Sequence, residues 1–281
     1  MSQKGIVVSI DFELDWGYTD LNKPLEHLEI VAGLNRLINL FEKHQVKTTW
    51  AIVGELFENE TAKDNSKRQL HWIRDRLMNN EYIEIASHTH QHIFCDEQPI
   101  DVFQNDLLAM NEVARKNKIE FNSIVFPRNQ FNKEHLSILK EDKYTHFRGV
   151  LDRWYLKTHK YSKESTIKRN LLRFMEMIPI KRDVIVKNLD GIIMVSDSRF
   201  FRFFSPSLVG KILSILYLSI VKIEIKKSIQ RGKLYHIWFH PHNIILKPNG
   251  FEQLDSFLAC FSSIRKSNKN VSSYKFSEIY L

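Results

Sequence analysis

Short runs of β-branched and aromatic residues alternate along this chain with longer amphipathic stretches, and that rhythm limits the fold more than any other feature. A brief apolar run reads as a strand of a parallel sheet, and a stretch with 3.6-residue periodicity as the helix that leads to the next strand. Strands are expected over residues 5–10, 46–53, 82–86, 122–126, 145–150, 192–195 and 234–239. Leu25, Leu28, Val31, Leu34, Ile38 and Phe41 form one apolar stripe behind Pro24, a residue suited to a first helical position. Further helices are expected over 69–78, 100–114, 134–141, 207–230 and 252–260. Seven strands are too many for a small domain, and 281 residues are enough for one large barrel. The expectation is therefore a single α/β domain over 1–281, a parallel (β/α) barrel with a basic, poorly patterned insertion around 152–190.

Composition narrows the function classes. Hydrophobic residues make up 43% and charged residues 26%, a balance that suits a soluble globular protein. The apolar run after Lys4 ends at Asp11, too short for a secretory leader, and the greasiest stretch, 208–221, contains Lys211 and is too short to span a bilayer. Two cysteines, Cys95 and Cys260, stand in no metal-finger or redox spacing, so a reducing cytoplasm is the expected compartment. The net charge of +8 suits anionic partners, but no nucleic-acid motif accompanies the scattered lysines and arginines, and nucleic acid is not expected as a partner.

The polar residues sit where barrel chemistry is built. Asp11 follows the first expected strand, His88 the third, Arg128 the fourth and His240 the seventh, so all four belong at the C-terminal mouth of a parallel barrel. Asp11, Glu13 and Asp15 alternate along extended chain and would share a face, needing a cation or an arginine nearby to stay ionised. On their own they read equally as an acidic loop start. In His88-Thr89-His90-Gln91-His92, two imidazoles can serve one cation, with His88 and His92 neighbours on a helical turn, although a polar surface loop has the same composition. Arg128 can grip a carboxylate or stand on the surface, and His240, at the end of an apolar strand, reads as an acid/base group or a buried structural histidine.

Taken in chain order, these segments resemble the polysaccharide deacetylase family, the NodB-homology carbohydrate esterases. Ser9-Ile10-Asp11-Phe12-Glu13 resembles its acidic motif, His88-Thr89-His90-Gln91-His92 its histidine motif, the segment around Arg128 its arginine motif and His240 its late histidine. Asp11-x-Glu13 replaces the usual paired aspartates, Pro127-Arg128-Asn129-Gln130 replaces Arg-Pro-Pro-Tyr, and Asp152-Arg153-Trp154 only faintly resembles the remaining motif. These departures resemble a divergent branch found with surface-glycan biosynthesis.

The resemblance implies the distorted seven-stranded NodB-type barrel and a metal-dependent removal of an N-acyl group from an amino sugar. It implies a divalent ion, zinc foremost, on Glu13, His88 and His92, with Asp11 as general base steadied by Arg128. His240 would protonate the departing amine, a backbone N–H near Asn129 would steady the oxyanion, and Arg148 would face the site. The substrate would be a glycan or amino sugar, free or linked to a nucleotide or lipid carrier. A cyclic amidase, a sugar deformylase and an inactive glycan-binding barrel are the alternatives. The greasy, basic stretch 207–230 adds an expectation of peripheral membrane contact, against burial on the barrel or in a dimer.

Overall fold

The computed structural model describes residues 3–17, 27–58, 70–150, 178–204 and 207–281. Its strands are β1 (Gly5–Phe12), β2 (Thr48–Ile52), β3 (Ile83–Ser87), β4 (Ser123–Ile124), β5 (His146–Gly149), β6 (Val186–Leu189), β7 (Ile192–Ser196), β8 (Arg199–Phe200), β9 (Leu234–Phe239) and β10 (Ser272–Tyr274). The helices are α1 (His27–His44), α2 (Glu55–Glu58), α3 (Leu70–Met78), α4 (Ile100–Asn117), α5 (Lys133–Glu141), α6 (Leu208–Gln230), α7 (His242–Ile245) and α8 (Gly250–Ser267). Pro24, Leu25 and Asp152-Arg153-Trp154 lie outside the described residues, as does the side chain of Asp15.

All seven expected strands form, and they are consecutive neighbours in one sheet, in the order β7-β5-β4-β3-β2-β1-β9. Every pairing among them is parallel. The segment 192–200 brings the two ends of this curled sheet together, because β7 pairs with β5 while β8 pairs with β9. The exchange happens between adjacent residues, where Asp197 N–H donates to the Gly149 carbonyl and Ser198 N–H to that of His236. Three short strands were not anticipated: β6, β10 and the two-residue β8. β10 lies parallel to the start of β1, and β6 forms a hairpin with β7 inside the stretch read as an insertion. Its two-residue turn, Asp190-Gly191, has positive φ at both positions, the geometry that Asp-Gly supplies most cheaply.

Alternation along the strands decides what the curl encloses. On β1, Ile6, Val8, Ile10 and Phe12 point out into the larger apolar core beneath the helices, while Val7 belongs to a second, inner cluster. Val7 is joined there by Ala51, Ala86, Val125, Val195 and Leu234, with Phe276 and Ile279 plugging one end. The inward positions change character along each strand. On β1 they run Val7, Ser9, Asp11 and then Glu13, and on β9 Leu234, His236, Trp238 and then His240. Apolar side chains thus fill the bottom of the curl and polar ones its C-terminal mouth. A one-residue slip would exchange this polar column for the apolar one, so the register is strongly fixed.

Candidate functional site

At the mouth, Glu13 is the hub. His88 Nε2 lies 3.1 Å and His92 Nε2 2.7 Å from its Oε2, and His240 Nε2 lies 2.9 Å from its Oε1. Burial raises the proton affinity of the Glu13 carboxyl, but the imidazoles of His240, His88 and His92 around it outweigh this and hold the group well below the usual carboxylate range. Burial likewise opposes a charged His240, yet its bond to Glu13 and the field of Asp11 keep its pKa above the ordinary histidine value. Asn243 Oδ1 lies 3.2 Å from His240 Nδ1 and orients the ring, which stacks on His242 with centroids 5.0 Å apart.

The histidine segment is a loop rather than the helical turn expected of it. Thr89 and His92 take left-handed backbone conformations, and the two ligand-like rings meet with centroids 5.0 Å apart. The buried Asp106 carboxylate on α4 braces the loop by accepting from the His90 and Gln91 N–H groups at 2.6 and 2.9 Å. His90 points away from the other two rings, with its Nε2 3.0 Å from Glu58 Oε2.

Donor chemistry tests whether a metal fits. The ligand atoms of Glu13, His88 and His92 all lie within 4.8 Å of one another. His88 Nδ1 sits 2.6 Å from the Val125 carbonyl, which only accepts, so Nδ1 carries the proton. In a neutral imidazole Nε2 then faces the Glu13 carboxylate as one acceptor opposite another, and a shared cation relieves that opposition. Two imidazoles and a carboxylate make a donor set suited to zinc or a similar divalent ion.

The second half of the site departs from expectation. Arg128 does not reach Asp11. It stacks over Phe94 at 3.7 Å, lies 3.5 Å from Glu97, and its side chain is half exposed. Arg148 takes the place beside Asp11, with Nη1 2.6 Å from Oδ1 and Nη2 2.7 Å from Oδ2, both side chains being buried. Burial raises the Asp11 carboxyl, but the Arg148 guanidinium outweighs it and holds the pKa below the ordinary value. Arg128 stands beyond the end of the neighbouring strand β4, at the rim, with a left-handed backbone.

Asn129 also changes role. Its N–H is committed to the Phe126 carbonyl at 2.8 Å and offers nothing to an oxyanion, whereas its side-chain carbonyl accepts from Arg148 Nε at 2.9 Å. Ser9 Oγ lies 3.3 Å from Arg148 Nη1 and 2.8 Å from His236 Nε2. The Trp238 ring lies 4.2 Å from the guanidinium carbon. Ser9, His236, Trp238, Asn243 and Asp106 were all missed from sequence. For His236 and Trp238 the signal was present, since they share the two-residue period of β9 with His240.

Residues 19–147 match the polysaccharide deacetylase family. Solved structures extend the likeness over almost all of the chain. A polysaccharide deacetylase from Mycobacterium smegmatis, described as putative, has a TM-score of 0.60 at 15% identity, over 99% of this chain and 96% of that one. An allantoinase has a TM-score of 0.60 at 11% identity, over 98% of this chain and 88% of that one. A 4-α-glucanotransferase from Thermococcus litoralis has a TM-score of 0.57 at 14% identity, over 99% of this chain, which spans 40% of the length of that enzyme. At these identities the likeness is one of fold, and it is the NodB-type curled barrel. No curated protein matches the chain.

Proposed function

We propose that this chain, which carries a polysaccharide deacetylase domain over residues 19–147, is a metal-dependent hydrolase that removes the N-acetyl group of an amino sugar during surface-polysaccharide assembly. The domain is that of a hydrolase acting on carbon–nitrogen bonds of this kind. The observation that carries the finer reading is the meeting, in one mouth, of the Glu13–His88–His92 donor set with an ionised Asp11 and a proton-rich His240.

Glu13, His88 and His92 would hold the ion, with zinc the best match to two imidazoles and one carboxylate. A bound divalent ion supplies Lewis-acid polarisation of the amide carbonyl and of the attacking water. Asp11 takes the proton from that water. Arg148 keeps it ionised and fixed, and each carboxylate oxygen retains a second lone pair free for the proton. His240 gives a proton to the amine nitrogen as the carbon–nitrogen bond breaks, steadied by Asn243. Acetate and a free amino sugar are the products. The rings of Phe200 and Trp238 lie 5.9 and 5.7 Å from His240 and suit the C–H faces of a sugar.

The test is to purify the chain without added metal, measure bound zinc, and assay acetate release from N-acetylated amino sugars. About one equivalent of zinc with acetate release supports the reading. Zinc without release from any N-acetylated sugar, but with opening of a cyclic amide, would assign the site to the cyclic amidase alternative. Absence of bound metal together with glycan binding would leave the inactive barrel.

A further inference from the structure

Exposed large apolar side chains gather on α6 more than on any other described element. Leu208, Val209, Ile212, Ile215, Leu216 and Ile223 are all exposed, Leu208 by 75% and Ile215 by 66%. At 100° per residue these six fall on an arc of about 120° on one side of the helix. The opposite side, with Tyr217, Val221, Ile225 and Ile229, is buried against the barrel, so α6 is docked along that side and its apolar outer face is left exposed among the described residues. Monomeric proteins rarely leave so contiguous an apolar strip in water.

Charge says what covers it. Lys226 and Lys227 continue the same arc, and Lys211 flanks it, all three exposed. The helix has a single acidic residue, Glu224, and that one is turned inward and buried among Arg182, Arg199 and the Tyr235 hydroxyl. The outer face is therefore apolar and basic with no carboxylate at all. A second copy docked by the same face would bring these lysines no carboxylate from the helix, whereas an anionic bilayer offers acyl chains to the strip and phosphates to the lysines. None of the described helices is long and apolar enough to cross a membrane, so the contact is one of lying on the surface.

Topology adds direction. α6 follows β8 and leads to β9, which are parallel, so it runs against them and its apolar N-terminal half sits level with the C-terminal mouth. Tyr217 locks that half to the mouth, donating to the Phe200 carbonyl at 3.0 Å, and Phe200 flanks His240.

We infer that the outer face of α6 docks this protein on an anionic lipid surface, with the mouth of the barrel held at the level of the membrane. Such a seat suits a glycan still attached to a lipid carrier, although the docking itself does not depend on what reaction the mouth performs.

Flotation of the full chain with phosphatidylcholine vesicles, with and without phosphatidylglycerol, tests this. Binding is expected to the anionic vesicles at low ionic strength and should weaken as salt is raised. Lys226→Ala and Lys227→Ala should each weaken it about fivefold. Ile212→Glu with Ile215→Glu should abolish it with an unchanged melting transition, since both side chains are exposed. Indifference to anionic vesicles at low salt overturns the inference. So does a dimer in sedimentation that the same double variant splits while vesicles are ignored, because a second copy would then be the occupant. Acetate release need not be measured, so failure here leaves the proposed chemistry standing.

Discussion

The two halves of the mouth are built in different ways. On the side of the proposed metal ligands, His88 and His92 come from one five-residue loop, which the Val125 carbonyl and the Asp106 carboxylate hold. On the side of the proposed base, Asp11 is gripped by a guanidinium 137 positions away, which also meets Ser9 and Asn129 and lies over Trp238. A pair of imidazoles is thus specified by a short motif, while an ion pair is specified by whichever strand end can deliver the partner. The arginine has two strand ends to come from, and packing alone chooses β5.

The comparison breaks first if the ligand side proves dispensable. His88→Ala and His92→Ala should each lose the bound ion and nearly all turnover, while His90→Ala, whose ring faces Glu58, should be milder. Full metal occupancy in either of the first two variants would remove them from the ligand set. Asp11→Asn separates the halves, since an amide accepts no proton at neutral pH. It should keep the metal and lower the rate by about 10²–10⁴-fold. Metal loss in that variant would make Asp11 a ligand and place the base elsewhere.

Next in size is the contrast between the two arginines. Arg148→Ala leaves the Asp11 carboxylate buried without its cation, a change that costs about 3–5 kcal/mol. Arg128→Ala removes a half-exposed ion pair and a ring contact, worth about 1 kcal/mol or less. Urea unfolding of both variants measures the difference. Equal losses would mean that the Asp11–Arg148 pair is no more than a surface contact, against its burial.

Legibility in the sequence follows the same division. Most of the seven strands were readable as dense apolar runs, as in Gly5–Phe12, buried at every position, whereas His146–Gly149 is short and carries two basic side chains. β6 was not, because Val186-Lys187-Asn188-Leu189 is a half-exposed edge with polar residues on show, and β10 is only Ser-Ser-Tyr. The Asp190-Gly191 turn was the available clue. Within the site, Glu13, His88, His92 and His240 stand together as the resemblance implied, since strand register and a local loop carry them. The tether was expected at Arg128, but Arg148 lies inside β5 beside Val195, whereas Arg128 stands beyond the end of β4. The left-handed backbone at Arg128 adds to that difference. A long-range contact of that kind leaves no periodic trace.

The smallest effect lies beneath the tether, at His236. Its Nδ1 is 2.9 Å from the Ser196 carbonyl and must donate to it, so Nε2 accepts from the Ser9 hydroxyl, whose remaining lone pairs face Arg148. Burial lowers the pKa of this ring, and the Arg148 charge adds to the effect against the opposing Ser196 bond, to about 4. The folded value lies below the unfolded one of about 6.5, so as pH falls the unfolded chain takes up the proton first. Stability should therefore be intact above about pH 6.5 and drain away down to about pH 4, by at most on the order of 3 kcal/mol from this group. His242, also lowered to about 4, mainly by burial, drains over the same window. His236→Gln should be less stable than the parent at pH 7, having lost the Ser9–Ser196 bridge, yet lose less on acidification because one of the two titrations is gone. Urea midpoints at pH 7 and pH 5 for parent and variant decide it. Parallel pH slopes would show that folding leaves the His236 pKa unchanged, and a steeper loss in the variant would show that the ring is protonated in the fold and donates to both Ser196 and Ser9.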